Sequence, residues 1–597
     1  TERLQRGLVE AGLDPRAAVV QQWMDLVRTL HGFPRHLSQH VGGFVIARDA
    51  LSRLVPIENA AMADRRVIQW DKDDLDALKL IKVDVLALGM LSAIRRSLEF
   101  IAAKLGRPLR MQDIPDGDTP TYDMICRADT VGVFQIESRA QMSMLPRLQP
   151  RTYYDLVVEV AIVRPGPIQG GMVHPYLRNR ALADEEIVYP DELKPALQRT
   201  KGVPIFQEQV MQIAMLAADF TPGEADSLRR AMAAWKRRGG LEPFHDRLVH
   251  RMQEKGYDTE YAERIFKQIQ GFGEYGFPES HAAGFALLVY VSCWIKCHHP
   301  DAFLAALLNS QPLGFYAPAQ LVRDAREHGV QVLPVDVTVS DWESGFEPDA
   351  APVAVGQGGA LRRPVRLGLS RVSGLSAEAG QRIVARRAEA PFDGVEDLTR
   401  RAALGAHELQ VLAAADALAA LGGHRHQAAW TVAGIDPRPT ALLRATRLHE
   451  APVEIAAPSE AEDTLADYRA LGLSLKRHPV ALLRAELDAY KVQPASVLRT
   501  YPDGRLARAS GLVTHRQRPQ TAKGTMFVTL EDDTGAVNVI VWPAVVESQR
   551  RPLLSATLLT VFGRWQREGE VMHLVASRMI DHTALLSGLV SRSRDFR

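Results

Sequence analysis

Leu80-Ile81-Lys82-Val83-Asp84-Val85-Leu86-Ala87-Leu88 sets the carboxylate of Asp84 inside an apolar run. Short β-prone runs broken by turns precede it. From Ser92 to about Pro334 the pattern that follows is mostly helical, with Gly- and Pro-rich loops. Alternation places Ile81, Val83 and Val85 on one face of a strand and Lys82, Asp84 and Leu86 on the other. A carboxylate in an apolar strand is costly unless a cation, a basic side chain or a substrate meets it. Two readings follow: an active-site strand that carries a cation, or a Lys82–Asp84 pair on the solvated face of an edge strand. Taken alone, the strand favours the pair.

Upstream, Leu4, Leu8, Leu13, Val19, Trp23, Leu26 and Leu30 are spaced for one buried helical face. His36-Leu37-Ser38-Gln39-His40-Val41-Gly42-Gly43 is a polar turn with paired glycines that feeds Phe44-Val45-Ile46-Ala47. With Val67-Ile68-Gln69-Trp70 and the Asp84 strand, these runs predict a small sheet. Helical periodicity is already under way at Thr1, so the chain reads as the C-terminal part of something longer.

Downstream, residues 345–364 lose periodicity and mark a linker or a short β excursion. Helical pattern returns from Gly374 to about Leu421, and a Pro- and Ala-rich passage runs from Ile435 to Pro458. The last hundred residues change character. Ala509–Val513, Met526–Leu530, Val537–Val541 and Leu558–Phe562 are short strands, and Asp532-Asp533-Thr534-Gly535 is a turn. Such spacing predicts a small barrel of the OB kind.

The 597 residues suffice for roughly four domains. Apolar residues at 46% and charged residues at 24% are ordinary for a soluble globular protein. A formal charge of +1 says nothing about nucleic acid, so only local clusters can. Cys126, Cys293 and Cys297 are too few for a disulfide framework, which fits a reducing cytoplasm. No signal peptide and no apolar run of membrane-spanning length is read from the sequence.

Four segments carry candidate chemistry. Arg164 stands at the mouth of Arg164-Pro165-Gly166-Pro167, a rigid turn that suits bidentate capture of a phosphate; a solvated arginine on an ordinary turn reads equally well. Asp226 to Arg238 is a helix with five cations in ten positions, Arg229, Arg230, Lys236 and Arg237 among them, an interleaved Trp235 and few acidic partners. It suits a phosphate backbone, with a solvated face as the alternative. Gly271 to His281 interleaves aromatics with glycines before a long apolar helix, for which Ser280 is the expected N-cap. Rings on such a loop can stack a base. Arg371 to Ile383 resembles a helix-hairpin-helix turn, with Ser376 where a second glycine after Gly374 is usual, and Glu408 to Gly423 is a plausible second half. Cys293, Cys297, His298 and His299 read as core residues rather than a zinc site, since no second ligand pair follows.

Taken in order, these segments resemble the bacterial C-family DNA polymerases, the DNA polymerase III alpha subunits. The matching stretches are His36 to Ala47, Ile81 to Leu91, Gly132 to Ser138, Val163 to Met172, Ile205 to Met211, Leu228 to Met232 and Tyr275 to Tyr290. The wording of Val160 to Arg180, Trp235 to Leu241 and Ser593 to Arg597 is similar to the damage-inducible, error-prone branch, the ImuC type. The resemblance implies a multidomain, predominantly α-helical protein with a partial α/β palm, a helix-hairpin-helix module and a C-terminal all-β OB-fold. Its divisions would be the end of the thumb over 1–38, a second palm segment over 39–90 and fingers over 91–340. A helix-hairpin-helix region over 341–440, a helical linker over 441–504, the OB-fold over 505–585 and a tail over 586–597 would follow. The family's PHP domain and the Asp-x-Asp half of its palm have no counterpart here.

The resemblance also implies roles. Asp84 would be the third metal-binding palm carboxylate, for Mg2+ in a two-ion site, with Lys82 its basic neighbour. Arg164, Gln207, Tyr275 and His281 would face the incoming nucleotide. Arg229, Arg230, Lys236, Arg237, Gly374 and Ser376 would hold DNA. One carboxylate cannot hold two ions, so this polypeptide is expected not to polymerise by itself. The expected partners are primer-template DNA, dNTPs and accessory mutagenesis proteins, and through these the sliding clamp, with no membrane. A clamp-binding Gln-x-x-Leu/Met-Phe motif is not evident between residues 424 and 505, and no long tail follows the barrel. The competing reading is a non-catalytic DNA-binding scaffold derived from a polymerase.

Overall fold

The computed structural model describes residues 5, 7–9, 11–33, 42–60, 64–164, 167–168, 170–238, 241–271, 277–348, 350–355, 360–436, 453–519, 522, 524–569, 571–586 and 594–596. The side chains of 72–73, 76, 233–238, 354–355, 360 and 594–596 lie outside that description. Residues 1–88 and 89–597 form two compact units.

The first unit holds a helix, Ala18–Leu30, and two antiparallel ribbons. β1 (Gly43–Ile46) pairs with β4 (Ile81–Asp84) in the register Gly43↔Asp84, Phe44↔Val83 and Ile46↔Ile81. β2 (Ile57–Asn59) pairs with β3 (Arg66–Ile68). The small sheet predicted from sequence is thus two separate ribbons. A two-stranded ribbon has no layer of its own to bury a face against, and Phe44, Ile46, Ile81 and Val83 are all exposed. The expected buried stripe of the N-terminal segment is corrected in part: Leu8 is buried, but Val19, Trp23, Leu26 and Leu30 face outward, and Met24 is the one buried residue of Ala18–Leu30.

The second unit is a helical body followed by a barrel. At the centre of the body, helix Glu279–His298 packs along Tyr153–Ile162. At 20 residues, with an 18-residue window of mean hydropathy 1.2, it is long and apolar enough by length and composition to cross a membrane, contrary to the sequence reading. In this fold its Ala282, Ala286, Val289, Tyr290 and Cys293 are core. It starts at Glu279 after Pro278, so Ser280 sits inside the first turn and is not the N-cap. The Glu208 carboxylate accepts from the Glu279 N–H instead (3.1 Å).

Lys296, on the same helix, is wholly buried. Its three ammonium protons meet three acceptors: Asp324 Oδ1 (2.8 Å), Asp129 Oδ1 (3.0 Å) and the Val131 carbonyl (3.1 Å). His328 donates from Nε2 to Asp129 and from Nδ1 to the Asp324 carbonyl, both at 2.7 Å. Burial opposes charge on Lys296 and His328, yet the carboxylates outweigh it and hold both above their ordinary values. Asp129 is held down by His328 and Lys296 against its own burial, while burial pushes Asp324 up.

A short mixed sheet of β5 (Val332–Leu333), β6 (Gly345–Phe346) and β9 (Val365–Arg366), with the ribbon of β7 (Val353–Val355) and β8 (Ala360–Arg362), supplies the expected β excursion. The hairpin region follows. Gly374 adopts a φ of +86°, which favours glycine. Ser376 accepts from the Ala379 N–H (3.2 Å) and caps helix Ala377–Glu389. An N-cap needs extended backbone and a short oxygen-bearing side chain, so serine serves where glycine was expected. Helix Ala406–Ala414, with Leu409 and Leu412 buried, forms the second half.

The barrel comprises β10 (Leu506–Gln517), β11 (Met526–Asp532), β12 (Gly535–Val541), β13 (Leu558–Glu568) and β14 (Val571–Asp581). Strand order β11-β12-β14-β13-β10 closes through β10–β11, and β12 runs parallel to β14. This is the five-stranded OB arrangement. Within the tail, β15 (Arg594–Phe596) adds a parallel strand beside His515–Gln517. The barrel docks on the helical body through Arg323 to the Asp532 carbonyl (2.6 Å), Arg147 to Glu568 (2.6 Å), His515 Nε2 to the Phe315 carbonyl (2.9 Å) and Arg139 to Thr529.

Glu159, on Tyr153–Ile162, is completely buried, and among the described residues neither carboxylate oxygen has a hydrogen-bond partner. Burial alone pushes its pKa well up, so the folded state keeps the proton. An unfolded glutamate releases that proton near pH ~4.3. Native stability is therefore full below that value and falls as pH climbs toward the raised folded value. Glu159→Gln, equal in shape and uncharged, should raise Tm more at pH 8 than at pH 5. A Tm difference independent of pH would refute the buried neutral acid.

Candidate functional site

The backbone after helix Tyr153–Ile162 bends out at Val163, and Arg164 Nε turns back to donate to the Val160 carbonyl (3.0 Å). That tether lays the guanidinium over Phe277, 3.6 Å from the ring centroid. At this distance a cation gains roughly 0.5–2 kcal/mol from the ring face. Phe277 is itself buried and meets His281 edge-on at 4.9 Å; His281 lies 4.4 Å from Phe285. The Gln207 N–H donates to the Phe277 carbonyl (3.3 Å), which brings the start of helix Gln207–Ala218 to the same place. Burial, and then Arg164, pushes the His281 imidazole below its ordinary value. The cluster therefore presents one fixed cation beside a neutral ring, an arrangement suited to an anionic group next to a planar one.

Three residues read from sequence thus come together: Arg164, Gln207 and His281. Tyr275 lies outside the described residues. Phe277 organises the cluster, and sequence reasoning did not distinguish it from the other rings of the aromatic loop. Its signal is its place directly before Pro278, the residue that precedes the helix.

The basic helix is Pro222–Arg238. The expectation that acids are scarce there is corrected. Asp226 accepts from Arg229 Nε (2.9 Å) and Arg230 Nε (2.8 Å), one and the same carboxylate serving residues three and four positions on. The side chains of Lys236 and Arg237 lie outside the described residues.

In the first unit Lys82 Nζ lies 3.3 Å from Asp84 Oδ2, both about one-third exposed. Asp84 is therefore paired along its own strand, and the strand is exposed on both faces. One carboxylate beside an ammonium does not by itself fit a two-ion site. Gly374 and Ser376 stand at the hairpin turn.

Two features were missed from sequence. Asp129, Asp324 and His328 offer ligand atoms mutually close enough for a metal ion, but the Lys296 ammonium already satisfies the two carboxylates. The clue was a lysine four turns into an apolar helix. A polar cleft of about 580 Å³ is lined by Tyr154, Arg180, Lys194, Arg199 and Lys201. Arg180 pairs with Asp155 (2.5 Å), Arg199 with Glu279 (2.9 Å) and Lys201 with Asp184. Most of its positive charge is thereby internally balanced.

Comparison with known proteins matches residues 2–87 to the bacterial DNA polymerase III alpha NTPase domain and 90–256 to the bacterial DNA polymerase III alpha subunit finger domain. Residues 329–428 match a helix-hairpin-helix motif, and 508–581 an OB-fold nucleic acid binding domain. The chain is 59% identical over 601 residues to the error-prone DNA polymerase of Bordetella bronchiseptica, covering 100% of this chain and 56% of that protein. It is 60% identical over 597 residues to that of Burkholderia pseudomallei (98% and 55%), and 56% identical over 610 residues to that of Methylococcus capsulatus (100% and 58%). The chain spans a little over half the length of these relatives. It belongs to the bacterial DNA polymerase III alpha-subunit family, on the side of the members named error-prone DNA polymerases.

Proposed function

We propose that this chain serves template-directed DNA synthesis, the transfer of dNTPs to a primer 3′ end, in an error-prone polymerase that copies damaged DNA. The observation that carries this reading is the Arg164 guanidinium held over the Phe277 ring beside His281 and Gln207. In the proposal Arg164 grips the incoming triphosphate, His281 and Tyr275 border the nascent base pair, and Gln207 backs the loop. The helix bearing Arg229, Arg230, Lys236 and Arg237, and the hairpin turn at Gly374 and Ser376, follow the DNA backbone. Ser376 and the N-terminus of helix Ala377–Glu389 offer N–H groups of the kind that bind phosphate.

Asp84 contributes a carboxylate for Mg2+ in the natural protein, with Lys82 as its neighbour; the remaining ligands lie elsewhere in that protein. Accessory mutagenesis proteins, and through them the sliding clamp, complete the proposed partners, and the cytoplasm is the proposed compartment.

Two measurements test the reading in the natural protein. Arg164→Ala should raise the apparent KM for dNTP roughly ten-fold or more, the worth of one charge-assisted hydrogen bond; an unchanged KM removes the triphosphate contact. Asp84→Asn should abolish primer extension while primer-template affinity changes little. Undiminished extension would exclude the metal role, and a natural protein that binds primer-template but never extends it would favour a DNA-holding scaffold.

A further inference from the structure

The acid at the head of helix Glu279–His298 joins the three segments that carry the candidate site. Glu279 Oε1 accepts from the Tyr154 hydroxyl (2.5 Å), on the helix whose far end leads to Arg164. Glu279 Oε2 pairs with Arg199 Nη2 (2.9 Å), upstream of Gln207. The Glu279 N–H donates to Glu208 Oε2 (3.1 Å), and the Gln207 N–H donates to the Phe277 carbonyl (3.3 Å). The stretch 199–208 is therefore laced to 277–279, and helix Tyr153–Ile162 joins both through one phenol.

The electrostatics suit a fixed clamp. Burial, and then the Glu279 carboxylate, push the Tyr154 phenol above its ordinary value, so it keeps its proton and stays the donor. Arg199 and Glu279 are each no more than about one-third exposed, so water screens their pairing less than that of a fully exposed pair. In the first turn of its helix, Glu279 also lies where a negative charge is favoured.

Helix Tyr153–Ile162 has ten residues and is about 15 Å long. It meets the 277–279 stretch at both ends: Tyr154 reaches Glu279 from its first turn, and Arg164 lies over Phe277 beyond its last. Between those two anchors stands only Pro278, whose ring fixes its φ at −66°. Any slack at Glu279 is thus passed to Phe277 and to the guanidinium above it. Tyr153 also reaches helix Glu279–His298, donating to the Ala283 carbonyl (2.6 Å), but that bond joins the two helices alone. Glu279 reaches three segments at once.

We infer that Glu279 is a positioning residue for the incoming nucleotide: without touching substrate, its carboxylate fixes where Arg164 is presented. The inference rests on the nucleotide contact proposed for Arg164 and adds what holds that contact in place. Because Arg164 grips the triphosphate before the chemical step, loosening it acts on KM for dNTP and spares kcat.

The test is steady-state primer extension by the natural protein. Glu279→Ala should raise the apparent KM for dNTP about ten-fold, the worth of a charge-assisted hydrogen bond, with kcat little changed. Glu279→Gln keeps the length and one accepting oxygen, and should recover part of that loss. Tyr154→Phe removes a single hydroxyl and should move KM in the same direction; it decides the matter if Glu279→Ala lowers Tm. Tyr153→Phe, which cuts the neighbouring bond outside the clamp, should leave both constants as they are. In an Arg164→Ala background, Glu279→Ala should add nothing further. An equal rise in Tyr153→Phe, a fall in kcat at constant KM, or a full additional loss in the Arg164→Ala background overturns the positioning role and leaves the nucleotide contact standing. So does a KM that moves in Arg164→Ala but in neither Glu279→Ala nor Tyr154→Phe. A KM unmoved by Arg164→Ala overturns the nucleotide contact, and the positioning role with it.

Discussion

The Lys296 ammonium is the group on which the arrangement of the second unit depends. It is wholly buried, and a buried charge is tolerable only when every proton finds an acceptor. Asp129, Asp324 and the Val131 carbonyl are those acceptors, and they come from separated parts of the chain. His328 closes the group as a second cation, so two positive and two negative charges balance. Removing one member of such a set strands the others, which typically costs about 3–5 kcal/mol.

What this cluster fixes is helix Pro318–Glu327, which carries Asp324 on its inner side and Gln320 and Arg323 toward the barrel. Two of the barrel's contacts, those of Gln320 and Arg323, therefore sit on a helix tied to one buried lysine more than 200 residues away in sequence from the barrel. The docked side of the barrel is its β11 side. The same helical body holds Arg164 against Phe277, so the proposed nucleotide contact and the barrel share one rigid support.

Much of the architecture was legible in the sequence because it is local. The short β-prone runs at 526–530, 537–541 and 558–562 mark barrel strands, and the Asp532–Gly535 turn marks a hairpin between two of them. The parallel β12–β14 pairing was not legible, since it joins residues far apart and leaves no periodic trace. Capping was legible only in part: Ser280 resembles an N-cap because it precedes an apolar run, but the Glu208 carboxylate arrives from another helix and starts the turn earlier. The basic helix looks unpaired in sequence because Asp226 is a single acid, yet its two oxygens serve Arg229 and Arg230. The apolar faces of Ala18–Leu30 and of β1–β4 read as buried because periodicity reports a face and not what covers it. In the candidate site, Arg164 was visible from its Pro-Gly-Pro context, whereas Phe277 gains its role only through contacts made across the fold.

The most direct measurement is amide hydrogen exchange on Lys296→Met in the full chain. The substitution keeps length and apolar stem and removes only the ammonium. Exchange in Pro318–Glu327 and around Asp129 should rise together by at least ten-fold, while the barrel strands β13 and β14 retain their protection. Unchanged exchange in Pro318–Glu327 would contradict the claim that this buried cation holds the second unit together.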